Sequence, residues 1–128
     1  KTSLKILKMI KAFSVKFIFI ISMFCGANNT LISLIRYDKR ILFTISCGHI
    51  KYKGSKKSTP VASQQAVYSF SKKAAKYNSE KFILHIKGVG KGRRLATKEI
   101  KKLGLRVVKI FNTTPFSFNG CRIKKCNR

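Results

Sequence analysis

The charge balance of this chain constrains its fold and its partners more than any other feature of the sequence. Lysine and arginine account for 29 of its 128 residues against 3 aspartate and glutamate residues, so the formal net charge is +26. A free chain this cationic repels itself and attracts nucleic acids or anionic membrane surfaces. Because 45% of the residues are hydrophobic, the chain is not a disordered basic tail, and its length suits one packed domain.

The acidic residues are too few and too scattered for most hydrolytic chemistry. Asp38, Glu80 and Glu99 offer neither a catalytic carboxylate pair nor a magnesium site. Two-metal phosphoryl transfer needs several convergent carboxylates, which argues against a metal-dependent nuclease. With two histidines in the chain, we expect no catalytic residue, no metal and no cofactor. The cysteines, with neither CxxC nor HxxxH spacing, favour reduced thiols over zinc.

The first 25 residues combine a basic arm with an apolar run, a pattern that also occurs in signal peptides. In the arm, residues 1–16, lysines alternate with leucine and isoleucine, which suits an amphipathic helix or a segment ordered by its partner. The run Phe17–Cys25 is far shorter than the roughly 20 residues of a membrane-spanning helix. It precedes a polar turn and a second apolar run, so we interpret it as a strand. The alternative is a cationic protein that binds membrane surfaces through the arm and Phe17–Phe24.

Alternating apolar residues predict that the first half of the domain is an antiparallel meander. Its strands are Phe17–Cys25, Thr30–Tyr37 and Ile41–Ser46, and the last two are joined by a hairpin-length link. The predicted α/β domain spans residues 17–112, between the arm and a basic tail at residues 113–128.

The second half of the domain predicts two helices and two further strands. Thr59 followed by Pro60 is typical of a helix start, and an apolar stripe continues through Ala62, Ala66, Phe70, Ala74 and Tyr77, with Asn78 at the end. Phe82–Ile86 is a nearly continuous apolar strand, which indicates that both of its faces are covered. A helix from about Arg93 to Leu103, ending at Gly104, precedes a strand at Leu105–Asn112. The order β-β-β-α-β-α-β predicts a mixed five-stranded sheet with helices packed on it.

Three basic segments are candidates for anion binding. Lys51–Thr59 leads into a helix N-terminus, where free amides, lysines and serines suit phosphate capture, although a solvated charge run is the alternative. Lys87–Arg94 contains three glycines, but it matches neither a Walker A loop nor a dinucleotide fingerprint, so by itself it is a weak signal. In the tail, Asn119-Gly120 is a turn, and Phe116 and Phe118 can stack on bases or pack against the domain.

Several short strings, in order, resemble one family. They are Asn28-Asn29-Thr30, Lys53–Pro60, Lys87–Arg93, Thr114-Pro115 and Asn119–Arg122. Over about Phe17–Arg128 the chain is similar to the universal small-subunit ribosomal protein eleven family. The chain departs from that family where Val89 replaces a proline, where Lys39-Arg40 replaces a hairpin glycine, where Ile123-Lys124 replaces two prolines, and where the aspartate before Thr114-Pro115 is missing.

The resemblance implies a ribonuclease-H-like fold without catalytic acids, and a non-enzymatic role in translation. It implies binding to small-subunit rRNA on the platform near the mRNA exit path, beside other small-subunit proteins and near mRNA, with no membrane and no homo-oligomer. The RNA contacts that it suggests are Asn28, Asn29, Thr30, Lys51, Lys53, Ser55, Lys56, Lys57, Ser58, Thr59, Lys87, Lys91, Arg93, Arg94, Asn119, Arg122, Lys124 and Lys125. Abundant lysine, isoleucine, phenylalanine and asparagine suggest an AT-rich genome, so we predict a mitochondrial ribosome, with a plastid or bacterial ribosome as the alternative.

Overall fold

The computed structural model describes residues 18–36, 38–77 and 81–122. Its main elements, in chain order, are β1 (Ile18–Cys25), β2 (Thr30–Ile35), β3 (Ile41–Ser46), α1 (Pro60–Ala74), β4 (Lys81–Lys87), α2 (Arg93–Lys102) and β5 (Val107–Asn112). This order confirms the predicted α/β class with two helices and one mixed sheet. The predicted N-terminal arm, Asn78 and the end of the tail lie outside the described residues.

The sheet has the strand order β3-β2-β1-β4-β5. β1 pairs with β2 and β2 pairs with β3 in antiparallel fashion, which confirms the predicted meander. β4 runs parallel to β1 on one side and to β5 on the other. The β3-to-β4 and β4-to-β5 connections therefore step in the same direction across the sheet. Because such crossovers are right-handed, both helices fall on the same face.

The apolar run at the start of the domain is the central strand of the sheet. Along β1, Phe19, Ile21, Met23 and Cys25 are buried beneath the helices, and the residues between them point to the other face. The described part of the segment considered for membrane binding is thus a strand of the sheet, and its alternate residues lie in the core. No helix among the described residues combines the length and the apolar character needed to cross a bilayer.

Helix α1 begins and packs as its sequence predicts. Thr59 adopts extended backbone angles, its side chain accepts a hydrogen bond from the Ala62 amide, and Pro60 occupies the first turn. The apolar stripe is buried at Ala62, Ala66, Phe70 and Ala74. The α-helix ends at Ala74, before the predicted end, and a single 3-10 turn, Ala75–Tyr77, completes it.

Within the described residues β4 is covered on one face, which differs from the prediction that both of its faces are covered. Phe82, Leu84 and Ile86 are buried, but Ile83 and His85, which alternate with them, are only half-buried. The reason is the common direction of the two crossovers, which places both helices of the described residues on the opposite face of the sheet. On the face that Ile83 and His85 share, the His85 ring meets the edge of Phe111, with 5.3 Å between ring centroids, so the histidine is a packing residue.

The other boundaries differ from the prediction by a few residues. β2 ends at Ile35, two residues before the predicted end, and β5 begins at Val107 rather than Leu105. Helix α2 ends at Lys102, and Gly104 follows with a φ of 71°, which suits glycine at a helix end.

Candidate nucleic-acid interface

The direction of the strands gathers the predicted site residues at one end of the sheet. β3 runs parallel to β1 because both are antiparallel to β2, so β1, β3, β4 and β5 all point the same way. Segments 26–30, 47–59, 88–94 and 113–122 adjoin the carboxyl ends of these strands. We call this region of the sheet the carboxyl end, as distinct from the C-terminus of the chain. In open α/β sheets, ligands bind just outside the carboxyl ends of the strands.

The glycine loop, residues 88–92, packs directly against the turn that follows β1. The Gly90 amide donates a hydrogen bond to the Cys25 carbonyl over 3.0 Å. A Cβ atom at Gly90 would collide with the carbonyl oxygen of Gly26, and one at Gly88, where φ is 92°, would collide with that of Cys25. The glycines therefore let two backbone segments of the candidate site touch.

A buried pair of hydroxyl groups joins this region to α1. Thr30 Oγ1 and Ser63 Oγ lie 2.9 Å apart, and Thr30 is 2% exposed. A Cβ at Gly92, immediately before α2, would collide with Ser63 Oγ. Thr30 was predicted as an RNA contact, but its side chain is enclosed and holds the site together. Ser63 was missed, although a small polar residue within an apolar helix stripe is a usable signal.

The neighbouring turn presents polar side chains to the outside. Asn28 is exposed, whereas Asn29 is half-buried. The Asn29 side-chain oxygen accepts a hydrogen bond from the Thr30 amide over 2.9 Å, which is ordinary turn chemistry. Of the three predicted contacts in this turn, Asn28 is therefore the one with a fully exposed side chain.

The lysine-rich segment is more ordered than the predicted loop. Gly54–Ser58 forms a 3-10 helix, and Ser58 Oγ donates to the Ser55 carbonyl over 2.7 Å. The Thr59 hydroxyl, which caps α1, also donates to the Lys56 carbonyl over 2.8 Å. These bonds fix the backbone that carries the lysines immediately before the first turn of α1. The exposed side chains of the segment belong to Lys51, Lys53, Ser55, Lys56 and Thr59, whereas Lys57 and Ser58 are half-buried.

Arg93 ties the glycine loop to the start of the tail. Its Nη1 donates to the Gly88 carbonyl over 2.8 Å and to Thr114 Oγ1 over 3.4 Å. The Gly88 amide donates to the same hydroxyl over 3.2 Å. Arg93 is thus a positioning residue as well as a cation. The exposed cations around the loop are Lys87, Lys91 and Arg94.

The Cys25 thiol lies beneath this loop at the end of β1. Burial raises its pKa above the ordinary value, and the lowering influence of the nearby Arg93 guanidinium is smaller. The thiol is therefore neutral at physiological pH and serves as a small apolar side chain. Cys25 and Cys47 are buried free cysteines, and Cys121 is an exposed one.

The described part of the tail also lies at the carboxyl end. Asn119 has a φ of 49°, so the predicted Asn119-Gly120 turn is formed with asparagine in the left-handed conformation. Arg122 is exposed, and Phe116 and Phe118 are 82% and 95% exposed. Of the two interpretations of these rings, packing against the domain does not hold. Lys124 and Lys125 lie outside the described residues.

Carboxylates are absent from the described part of the carboxyl end. Asp38 belongs to the hairpin at the opposite end of the sheet, where its Oδ2 lies 3.6 Å from Arg36 Nε. Glu99 sits on α2 and accepts a hydrogen bond from Gln64 over 2.8 Å. Among residues 18–36, 38–77 and 81–122, no three histidine, cysteine or acidic side chains form a group that could hold a metal ion.

The fold and the distribution of charge define a basic α/β protein of the kind that attracts polyanions. The family model of ribosomal protein S11 matches residues 19–128. The chain therefore belongs to the ribosomal protein S11 family and is a protein of the small ribosomal subunit. Members of this family are structural components of the ribosome and not enzymes.

Proposed function

We propose that this protein binds small-subunit rRNA through the carboxyl end of its sheet. The observation that carries the proposal is the convergence of four separate segments, each with exposed cations or amides, at a place where the described residues contain no carboxylate. RNA-binding proteins make most of their contacts through phosphate and sugar groups, to which lysine, arginine, serine and backbone amides donate.

The residues of the site divide into contact and positioning roles. Lysines of segment 51–57, together with Lys87, Lys91 and Arg94, neutralise phosphates, and Asn28, Asn119 and Arg122 donate hydrogen bonds around them. Lys124 and Lys125, outside the described residues, add two further cations that can neutralise phosphates. Thr30, Thr59 and Arg93 act mainly by holding the backbone in place. The exposed rings of Phe116 and Phe118 stack on unpaired bases.

Membership in the ribosomal protein S11 family supports a proposal for the place of this protein in the small subunit. We infer that one copy lies on the platform of the small subunit near the mRNA exit path, in contact with neighbouring ribosomal proteins and close to mRNA. The excess of lysine, isoleucine, phenylalanine and asparagine supports a mitochondrial ribosome. The shortage of carboxylates supports a purely structural role.

A triple substitution in the lysine segment tests RNA binding. Lys53→Gln, Lys56→Gln and Lys57→Gln together remove three cations at the N-terminal end of α1. If the wild-type protein contacts about 6–10 phosphates, raising salt from about 50 to about 200 mM weakens its rRNA affinity by roughly 10³–10⁵-fold. We expect the variant to reduce the slope of log affinity against log salt by about 2–3, since each contact contributes about 0.7–0.9. The measurement is filter binding to small-subunit rRNA over a salt series.

The matched control removes three cations at the other end of α1, two from its last turn and one from the 3-10 turn that follows. Lys72→Gln, Lys73→Gln and Lys76→Gln change the net charge equally and should leave the slope much closer to the wild-type value. In parallel, the tagged wild-type protein should sediment with small subunits isolated from mitochondria, and the Lys53 triple variant should not. The proposal would be contradicted if the slope fell equally in the two triple variants, or if the tagged wild-type protein sedimented apart from those subunits.

A further inference from the structure

A groove follows one flank of α2 and opens into the carboxyl end. It has a volume of about 340 Å³ and is lined by Ile86, Arg93, Arg94, Thr97, Lys98 and Lys101. A second concavity of about 560 Å³, at the glycine loop, shares Arg93 and Arg94 with it. The two concavities therefore adjoin at these arginines, one at the glycine loop and the other beside α2, and we call the one beside α2 the α2 groove.

The cations of the α2 groove are regularly spaced. Arg94, Lys98 and Lys101 stand four and three residues apart, so they share one side of the helix. With a rise of about 1.5 Å per residue, they span about 10 Å along the helix axis. All three are exposed, and no carboxylate lines the groove.

The lining differs on the side of α2 that faces α1. A cavity of about 480 Å³ between the two helices is lined by Val61, Gln64, Gln65, Tyr68, Ser69 and Glu99. None of these residues is a cation, and Glu99 is the one that α2 contributes. Lys102, three residues after Glu99, is the exposed cation of α2 nearest to this side, and it lines neither this cavity nor the α2 groove. The cations that line the α2 groove are thus concentrated on the other side of the helix.

Helix stability accounts for Lys101 but not for the arginines of the α2 groove. Cations stabilise the last turn of a helix, where Lys101 lies, but they are unfavourable in the first turn. Arg93 and Arg94 occupy the first turn of α2, which contains no acidic residue. A bound anion would offset the resulting repulsion.

We propose that the α2 groove binds one strand of RNA through its phosphate backbone. This inference rests on the proposed function and extends it, because the strand would leave the carboxyl end and continue along α2. Lys98 and Lys101 supply point charges to successive phosphates, and the aliphatic stems of these lysines, with Ile86, contact the sugars. The Thr97 hydroxyl donates to the Arg93 carbonyl over 2.8 Å, so its proton is not available to a phosphate.

The first test compares two double variants of equal charge. Lys98→Gln with Lys101→Gln should lower the slope of log affinity against log salt by about 1.4–1.8, as expected for two lost phosphate contacts. The control, Lys72→Gln with Lys73→Gln on α1, should change the slope by much less. Thermal melting of each variant checks that the fold is retained. Equal slopes for the wild type and the Lys98 variant would overturn the proposal.

The second test maps the strand directly by photo-crosslinking. In a background with Cys121→Ser and Cys126→Ser, Lys98→Cys carries a photoreactive label, and Tyr68→Cys, on the other flank, carries the same label as the control. In reconstituted small subunits we expect a crosslink to rRNA from position 98 and none from position 68. RNA crosslinks from both positions, from neither, or a crosslink from position 98 to a protein would overturn the proposal.

The two proposals can fail separately. Suppose that the slope of log affinity against log salt falls as expected in the Lys53 triple variant but stays at the wild-type value in the Lys98 variant. The carboxyl end then binds RNA and the α2 groove does not. If the wild-type protein does not bind rRNA, both proposals fail.

Discussion

At the scale of single residues, the hairpin between β2 and β3 places a lysine in a backbone conformation that favours glycine. Lys39 has a φ of 62°, a left-handed conformation that suits glycine, and two backbone hydrogen bonds close the hairpin around it. This is where the chain departs from its family by having Lys39-Arg40 in place of a glycine. The fold therefore tolerates a strained side chain at a tight turn.

Replacing this lysine by glycine should stabilise the protein. Lys39→Gly removes a left-handed strain of roughly 1–2 kcal/mol. Glycine also increases the entropy of the unfolded chain, which costs about 0.5–1 kcal/mol, so the free energy of unfolding should rise by up to about 1.5 kcal/mol. Urea denaturation measures the difference. Arg40→Gly, at a residue with negative φ, is the control and should destabilise by about 0.5–1 kcal/mol. A loss of stability in Lys39→Gly would show that the lysine side chain has a compensating role.

At the scale of elements, the carboxyl end depends on contact between two connections that are far apart in sequence. Turn 26–29 and the glycine loop meet backbone to backbone, and Gly92 covers the Thr30–Ser63 hydroxyl pair. The loop has little freedom to move, although Val89 replaces the family's proline, because Arg93 and Thr114 hold it from the other side. Tertiary contacts thus supply rigidity that proline would supply locally.

A methyl group in the glycine loop should disrupt this contact. Gly90→Ala places a Cβ against two backbone carbonyls that cannot rotate away, so we expect a loss of about 1–3 kcal/mol in the free energy of unfolding. The matched control is Gly48→Ala, whose Cβ would meet only side-chain atoms at 3.6 and 3.7 Å and should change stability by less than about 0.5 kcal/mol. Chemical denaturation of both variants measures the difference, and similar values would show that the loop moves aside easily.

At the scale of the whole molecule, burial of apolar side chains favours folding, whereas repulsion between the surface cations opposes it. One face of the sheet and the two helices enclose an apolar core, whereas cations dominate the surface and the two described carboxylates are each already engaged. The free protein must therefore fold against its own electrostatic repulsion.

Salt should stabilise the free protein while weakening its binding to RNA. Raising ionic strength from about 0.01 M to about 1 M shortens the Debye length from about 30 Å to about 3 Å, which screens repulsion between the cations. We expect Tm to rise over this range by differential scanning fluorimetry. A variant that combines the Lys53 and Lys72 triple substitutions should show a smaller rise. A wild-type Tm that stays constant or falls would mean that repulsion does not limit stability.

Much of this architecture could be predicted because its signals are local. Thr59-Pro60 marks the start of α1, the apolar period marks its buried side, and alternation marks the strands of the meander. The segments of the candidate site carry enough glycine, lysine and asparagine to be recognised as a set. Strand ends were less certain, because terminal residues such as Leu105 can extend a strand or a loop at similar cost.

The excess of cations, the order of elements and the segments proposed for RNA binding can be read from the amino-acid sequence without a structure. Contacts between elements reveal that Thr30 is buried, that both described helices cover the same face of β4, and that Arg94, Lys98 and Lys101 line a groove. The physical reason is that hydrophobic periodicity states which side of an element is buried, but not which element covers it. Strand order and the handedness of the crossovers make that choice, and they depend on contacts between residues far apart in the chain.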